Sequence, residues 1–396
     1  MTKNSVVQKG YVLDTETEYT EDIKDLVYLI SCAINDTSPD IERISKANLD
    51  VIYQLASFHS VVSVVAFAIE SVMDLPYEFD QAKKKSIRKL ALFDIERGKI
   101  FHLFDQNRIW YLPLKGIVLK DYYPKYGMRE MADNDILCDA TCMNEIKRIM
   151  EGLGFKCKEL DEDGNHDVYL KSFTTFEMHR SLFSKDDFAE FYDYFNNVKD
   201  RIIRCNNQTY EYRFKPEDLY IYILTHEYKH YTKGGTGIRS LLDIYLIIKR
   251  YGEQFDWEYI SQELQSLSLN EFEKMNRVLS EKVFSETELN EEEIELFMYY
   301  ISSGAQGTDE HSWKNRLKNN YISENGSKKA KRLYLCNRLF VNGIKLKNNY
   351  PFVYKHKILL PGLYIYRLCK AIISKPKKVL SELKTINNFE YKDKDI

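Results

Sequence analysis

Near the amino terminus, apolar residues recur every three or four positions, which is the spacing of an amphipathic helix. The stretches are DIKDLVYLISCAI, ANLDVIYQLASFHSVVSVVAFAIESV and IRKLALFDIERGKIFHLFDQ. From residue 109 onward, the apolar segments are shorter. An apolar run over 109–115 and an alternating run over 131–139 predict strands, and 140–154 predicts a helix that ends at glycine. FKCKEL predicts a third strand, and HDVYLKS with TTFEMHRSLF predicts an antiparallel pair.

Helical periodicity returns at Pro216, a residue suited to the first turn of a helix, and predicts helices over 216–232 and 238–251. Further helices precede a linker, SGAQGTDE. We therefore predict an α+β or α/β fold, with a small mixed sheet, flanking helices, and helical regions at both chain ends. The predicted ranges are 1–108 (N-terminal helical region), 109–215 (α/β core), 216–305 (helical domain) and 306–396 (basic C-terminal helical region).

The composition of the 396 residues, 44% hydrophobic and 30% charged, is typical of a soluble globular protein of two or three domains. Seven cysteines without a CxxC pair argue against a disulfide scaffold and a structural zinc site. The polar first residues argue against a signal peptide, and no apolar run approaches the ~20 residues of a membrane span. A cytoplasmic location is therefore predicted.

Positive charge is concentrated near the carboxyl terminus. Residues 328–384 contain 15 Lys and Arg against one acid, a net charge of +14, so the rest of the chain carries −17 of the total −3. This predicts an anionic partner, such as a nucleic acid, an acidic polymer or a membrane surface; the alternative is a solvated helical face. The apolar stretch ILLPGLYIYRL in the same region adds the prospect of interfacial contact.

The candidate chemistry lies in LKG (114–116) and GMREMADNDILC (127–138). Residues two apart in a strand share a face, so Asp133 and Asp135 are expected to project together and to repel each other unless a cation lies between them. Oxygen ligands favour Mg²⁺ or Mn²⁺. Gly116 would let a phosphate approach backbone N–H groups, and Lys115 and Arg129 would add positive charge. These parts suit phosphoryl or nucleotidyl transfer.

A later strand adds Glu177 and His179 on one face. The ordered set resembles the polymerase-β-like nucleotidyltransferase superfamily, and more narrowly its branch of uncharacterised bacterial nucleotidyltransferase family proteins. That branch has a strand ending in LKG, a GxRxxxDxD segment (here 127–135) and an acid-x-His pair. It also has two histidines four apart on a helix, followed by an arginine and an aspartate on the next helix. Here the residues of these two helices are His226, His230, Arg239 and Asp243.

The resemblance implies Mg²⁺-dependent (or Mn²⁺-dependent) transfer of a nucleoside monophosphate from a nucleoside triphosphate, with ATP expected, to a hydroxyl of an unknown acceptor. A small molecule, a peptide and a protein all stay open as acceptor. The implied metal ligands and catalytic residues are Asp133, Asp135 and Glu177, and the implied phosphate-binding residues are Lys115, Gly116, Arg129 and His179. His226, His230, Arg239 and Asp243 would line the cleft, although Arg239 and Asp243 most simply form a helix-stabilising pair.

Two alternatives come from other classes of protein. One is a catalytically idle module that binds a nucleotide or RNA through the basic C-terminal region. The other is a zinc hydrolase, because THEYKHY (225–231) contains the HExxH pattern in His226, Glu227 and His230. The longer metalloprotease pattern is absent, since Lys233 stands where glycine is required, so no zinc is expected. The chain departs from the superfamily at Ile117, where serine is usual, and from the branch at Asn134, where an apolar residue is usual.

Overall fold

The computed structural model describes residues 19–159, 165–186, 188–324, 326–340, 346–347 and 350–390. Residues 1–18, which carry the signal-peptide expectation, lie outside this part. The chain divides into two compact units, one of Met1–Lys229 with Gly237–Ala305 and one of His230–Thr236 with Gln306–Ile396. The four-part division from the sequence stays a prediction. No helix in the described part is long and apolar enough to cross a membrane.

The first unit begins with helices, as the periodicity predicts. In the described residues they are α1 (Glu21–Asn35), α2 (Ile41–Lys46), α3 (Leu49–His59), α4 (Val62–Glu70) and α5 (Tyr77–Gln106). Helix α1 buries Leu26, Leu29 and Ile30, the three- and four-residue spacing of one helix face. Helix α5 is the longest of them, and it buries Leu90, Phe93, Ile100 and Phe104 against the sheet that follows.

The sheet is mixed, which confirms the predicted α+β class. Its strands are β1 (Tyr111–Pro113), β2 (Asn134–Cys138), β3 (Lys156–Glu159), β4 (His166–Lys171) and β5 (Thr174–His179), in the order β1-β2-β5-β4-β3. Strands β4 and β5 form the predicted antiparallel pair, and β2 and β5 run parallel. The parallel register sets Asp135 beside Glu177, and the antiparallel register sets His166 opposite His179. Short helix α6 (Gly116–Leu119) follows β1, and α7 (Met143–Gly152) connects β2 with β3.

One face of the sheet packs against α5 and α7 to form the core. Ile136 and Cys138 of β2 and Phe176 and Met178 of β5 are fully or almost fully buried there. Because side chains alternate between the faces of a strand, the residues between them point to the other face. The alternation therefore separates an apolar face from one that carries Asp135, Glu177 and His179.

Strand β2 is shorter than the predicted 131–139, and the expectation that Asp133 belongs to it is wrong. The pairing of β1 with β2 ends at Pro113 and Ile136, and the N–H of Leu114 then donates to the Asp135 carbonyl at 3.0 Å. The chain turns away after Leu114, so residues before Asn134 have no β1 residue opposite them. Asp133 therefore lies one residue before the strand.

The first unit continues with more helices and a small two-stranded sheet. These elements are α8 (Ala189–Phe195), β6 (Ile202–Arg204), β7 (Tyr212–Phe214), α9 (Pro216–Lys233), α10 (Ile238–Tyr251), α11 (Trp257–Ser266), α12 (Asn270–Phe284) and α13 (Glu291–Ser303). The last turn of α9, from His230 on, belongs to the second unit. Strands β6 and β7 pair antiparallel. Helices α9 and α10 confirm the two predicted helices, and their bounds differ from the prediction by one residue at most.

The second unit is helical in its described part. Its helices are α14 (Asp309–Glu324), α15 (Ser327–Leu339), α16 (Pro351–Lys355), α17 (Leu360–Ser374) and α18 (Pro376–Asn388). A small core joins α14, α15 and α18 through Trp313, Leu317, Tyr334 and Ile386.

Candidate active site

Asp135, Glu177 and His179 form what we term the acid–histidine cluster, because one oxygen or nitrogen atom from each lies within 4.8 Å of the others. His179 Nε2 lies 2.9 Å from Asp135 Oδ1 and 3.7 Å from Glu177 Oε2. The parallel pairing of β2 with β5 brings these side chains to one face of the sheet. Asp135 and His179 are buried, while Glu177 is partly exposed.

His166 also lies at this cluster, and the sequence did not single it out. Its Nε2 is 3.6 Å from Glu177 Oε2, and its ring centroid is 4.8 Å from that of His179. The antiparallel register of β4 and β5 places the two histidines opposite each other. The antiparallel pair predicted from the sequence contains both histidines, but only the register of its two strands shows that they lie opposite each other.

Lys115 reaches the cluster from the turn between β1 and α6. Its Nζ donates to Asp135 Oδ1 at 3.1 Å. The backbone of Lys115 has φ 43° and ψ −115°, a conformation that a residue with a side chain rarely adopts. Such strain persists where the surrounding structure imposes it, and it is common at functional sites. The predicted lysine is therefore placed beside a predicted carboxylate.

The cluster contains more negative charge than its neighbours neutralise. Burial raises the pKa of Asp135, but Lys115 and the hydrogen bond with His179 outweigh burial and hold that pKa well below its ordinary value. Burial, and then the charges of Asp135 and Asp133, raise the pKa of Glu177 to about 7. Burial lowers the pKa of His179 to about 4, so its ring is neutral at pH 7 and its Nε2–H donates to Asp135.

Asp133 lies beside the acid–histidine cluster and is not one of its three members. It is partly buried, and burial followed by the charge of Asp135 raises its pKa. The positive charges of Lys115, Arg239 and Lys89 oppose this rise. The expected repulsion between Asp133 and Asp135 is therefore present, although the two side chains do not extend from one strand.

Arg129 belongs to a second charged group, the Arg129–Asp243 pair. Its Nε and Nη2 donate to the two carboxylate oxygens of Asp243 at 2.9 and 2.7 Å, and Tyr123 donates to Asp243 Oδ1 at 2.8 Å. The expected pairing of Asp243 with Arg239 is wrong, since Arg239 lies 3.4 Å from the Glu130 carbonyl instead. The predicted phosphate contact of Arg129 would have to come from its third nitrogen, Nη1.

The two glycines of the motif fit this arrangement. A Cβ on Gly116 would lie 2.6 Å from Arg129 Nη1, so a side chain there would displace a guanidinium that Asp243 holds. Gly127 has φ 88°, and its carbonyl accepts hydrogen bonds from Ser63 and Ser86 at 2.7 and 2.8 Å. The approach of a phosphate to Gly116 stays a prediction.

Asn134 and Ile117, the two residues that depart from the usual family pattern, are both buried in the first unit. Asn134 is fully buried on the α5 side of β2, where its Oδ1 accepts from Arg97 and its Nδ2 donates to the Thr175 carbonyl at 3.2 Å. A polar residue is thus accepted because its amide is hydrogen-bonded. Ile117 is a buried member of the core on α6.

The HExxH segment has a different environment. Glu227 is 4% exposed, its Oε1 accepts from the Tyr300 hydroxyl at 2.8 Å, and burial raises its pKa to about 8. His226 is partly exposed and His230 is exposed. Among the described residues, the group of three or more that could hold a metal ion is the acid–histidine cluster. A buried, hydrogen-bonded Glu227 does not suit the general base of a zinc peptidase, and the cleft-lining roles of the histidines stay predictions.

Comparison with known protein families gave a match. A family model described as "uncharacterised nucleotidyltransferase" matches residues 45–285, more than half of the 396 residues. The matched range includes every candidate residue of the first unit. No curated protein and no solved structure matches the chain.

Proposed function

Because the chain belongs to the family of uncharacterised nucleotidyltransferases, we propose that it moves a nucleoside monophosphate from a nucleoside triphosphate to a hydroxyl and releases pyrophosphate. The acid–histidine cluster carries this proposal, since it sets two acids and a neutral imidazole within 4.8 Å beside a lysine. ATP is the proposed nucleotide. The acceptor is a hydroxyl compound among small molecules, peptides or proteins.

The donor set fits a divalent cation. Carboxylate oxygens are preferred ligands of Mg²⁺ and Mn²⁺, and a neutral imidazole is a ligand for softer divalent ions. Asp135 and Glu177 would hold the ion, with Asp133 beside them, and His179 would add a nitrogen ligand only with its ring proton on Nδ1, in place of its hydrogen bond to Asp135. When bound, such an ion polarises phosphoryl oxygens and offsets the charge that develops on the transferred group. The imidazole makes this set less selective for Mg²⁺ than the all-oxygen set expected from the sequence.

Phosphate binding and proton transfer would fall to side chains of the cluster and to Lys115. Lys115, which donates to Asp135, would also offer its ammonium group to the phosphates. Glu177, the more exposed of the two carboxylates in the cluster, would accept the proton of the acceptor hydroxyl. Asp135, held ionised by Lys115 and His179, keeps its negative charge at that pH.

Pyrophosphate release tests the proposal. We expect the purified full-length protein to release pyrophosphate from ATP with Mg²⁺ or Mn²⁺ in the presence of an acceptor, and to lose this activity in EDTA. Each of the four ribonucleoside triphosphates is tested against pooled small molecules and peptides. Calorimetry with ATP and metal provides a second readout that needs no acceptor.

The two readouts separate the competing functions. Binding of ATP with metal but no pyrophosphate release with any acceptor indicates the idle nucleotide-binding module. Failure of every triphosphate in both assays contradicts nucleotidyl transfer. One zinc ion per chain, lost in His226→Ala but kept in Asp135→Asn, would point to the peptidase alternative.

A further inference from the structure

The second unit exposes an apolar helix face on α17. Ile365, Tyr366, Leu368, Ile372 and Ile373 are between 49% and 79% exposed. At 100° per residue these side chains occupy an arc of about 160° on the helix. We call this arc the α17 apolar face. The opposite side of the helix carries Leu363, which is buried.

This distribution is the reverse of an ordinary surface helix, which turns its apolar stripe toward the core. Exposed apolar residues in the first unit are scattered, for example Ile95 on α5 and Phe173 between β4 and β5. On α17 they are concentrated over nine positions, and Ile358, which precedes the helix, is 89% exposed. Contiguous exposed apolar surface of this kind marks a site of interaction.

Exposed lysines border the α17 apolar face. Lys370 lies on the same helix, and Lys375 and Lys377 follow at the junction with α18; all three are exposed. The one acid of residues 328–384, Glu382, is buried and accepts from the Tyr334 hydroxyl at 2.6 Å and from Arg338 Nε at 3.0 Å. Its charge therefore does little to offset the lysines on the surface.

We propose that the second unit docks on an anionic lipid bilayer, with the α17 apolar face at the boundary between headgroups and acyl chains and the lysines on the headgroups. The combination of exposed isoleucine and leucine with basic residues is that of an in-plane interfacial helix. With 15 residues, α17 is shorter than the ~20 residues that span a bilayer. The docking is independent of nucleotidyl transfer.

The charge and the side-chain types favour this partner over two others. A second copy of the chain would bring the same positive charge against the first, which opposes a symmetric contact on this surface. A nucleic acid would pair with the lysines and could stack one base on Tyr366, but the other four members of the face are aliphatic and offer no ring on which bases stack. Anionic lipid satisfies both features together.

Vesicle flotation with the full-length protein tests the proposal. We expect the protein to float with phosphatidylcholine vesicles that contain phosphatidylglycerol, to bind pure phosphatidylcholine vesicles at least about tenfold more weakly, and to be released from the anionic vesicles by high salt. The triple variant Ile365→Ser, Ile372→Ser, Ile373→Ser should bind anionic vesicles at least about tenfold more weakly than the wild type.

Two matched variants control for surface changes in general. The double variant Ile95→Ser, Phe173→Ser removes exposed apolar side chains from the first unit and should bind vesicles like the wild type. The triple variant Lys370→Gln, Lys375→Gln, Lys377→Gln should lose the preference for anionic vesicles and keep its melting temperature. Both results support docking through the α17 apolar face and its bordering lysines.

Several outcomes overturn the proposal. Wild-type protein that stays out of the vesicle fraction overturns it whatever the variants do, and so does a serine variant that is folded and binds as tightly as the wild type. Binding to a single-stranded RNA that is insensitive to the serine substitutions, without vesicle binding, assigns the basic surface to nucleic acid. Vesicle-free capture of an acidic protein that the serine variant loses assigns it to a protein partner.

Discussion

The two charged groups of the first unit differ in how completely their charges are matched. In the Arg129–Asp243 pair, one guanidinium meets one carboxylate in a bidentate, buried contact that Tyr123 completes. In the acid–histidine cluster, Asp135 and Glu177, with Asp133 beside them, act on one another and share Lys115. Matched charges hold a structure in place, whereas unmatched acids leave room for a cation and its chemistry.

The two charged groups draw on the same sequence motif. The segment 127–135 supplies Arg129 to the first group and Asp135 to the second, so one motif contributes both to the buried ion pair and to the proposed active site. Substitutions on the two sides should therefore separate loss of stability from loss of activity. The predictions below run from the largest expected effect to the smallest.

Asp135→Asn is expected to lower metal-dependent pyrophosphate release by about three orders of magnitude or more, because it removes a carboxylate that we propose to hold the cation. The melting temperature of the variant should stay close to that of the wild type, since the amide oxygen can still accept hydrogen bonds from Lys115 and His179. Asp121→Asn, which changes a carboxylate that is 65% exposed, is the matched control and should retain full activity. An Asp135→Asn protein that turns over ATP normally would place the chemistry elsewhere.

Arg129→Met is expected to lower the free energy of unfolding by about 3–5 kcal/mol, because it leaves Asp243 buried without its cation. Denaturant unfolding measures the loss. Arg148→Met is the control, since Arg148 is 74% exposed and its surface pair with Glu145 should contribute little.

The double variant Arg129→Met, Asp243→Leu sharpens this result. Removing both charges should recover much of the stability that Arg129→Met loses, because no unpaired charge stays buried. A fully additive loss would mean that the two residues act separately.

Glu227 is a buried acid whose partner is the Tyr300 hydroxyl and not a cation, so burial should make its contribution to stability depend on pH. Its folded-state pKa of about 8 lies above the unfolded value near 4.5, so it contributes stability that is fully present below pH 4.5 and lost as the pH rises through 8. Glu227→Gln is neutral at every pH and avoids this loss. Its unfolding free energy relative to the wild type should therefore rise by a few kcal/mol between pH 5 and pH 8.5.

Urea unfolding at several pH values measures this difference. A gap between variant and wild type that is the same at all pH values would show that Glu227 does not titrate in this range. Zinc content is measured on the same samples, and we expect it to be negligible in both proteins.

Gly116→Ala is expected to lower the free energy of unfolding by about 1–3 kcal/mol through overpacking. The new Cβ would lie 2.6 Å from Arg129 Nη1 and 3.2 Å from the terminal methyl group of Met131, and Arg129 cannot move without loosening Asp243. Gly98→Ala is the control, because a Cβ there meets no atom within 4 Å in the middle of α5, and alanine should stabilise that helix by up to about 1 kcal/mol. An equal gain at both positions would contradict the close approach of Gly116 to Arg129.

Local sequence pattern predicted many of the elements and the sheet face that carries Glu177 and His179, but not α8 or the β6–β7 pair. The apolar periodicities predicted α9, α10 and the β4–β5 pair, because burial of a face imposes the period of the element that buries it. Two-residue alternation likewise placed Glu177 and His179 on one face. The motifs predicted membership of the nucleotidyltransferase superfamily, and the match over residues 45–285 confirmed it.

The choice of partners was decided only by the tertiary structure. Arg129 and Asp243 are 114 positions apart, and Asp135 and His179 are 44 apart, so no local period relates them. The register of β4 against β5 brought His166 to the cluster, and the end of β1 left Asp133 outside its strand. Periodicity states which face of an element is buried, but a hydrogen bond or ion pair depends on which atoms of distant segments meet, and packing of the whole unit determines that.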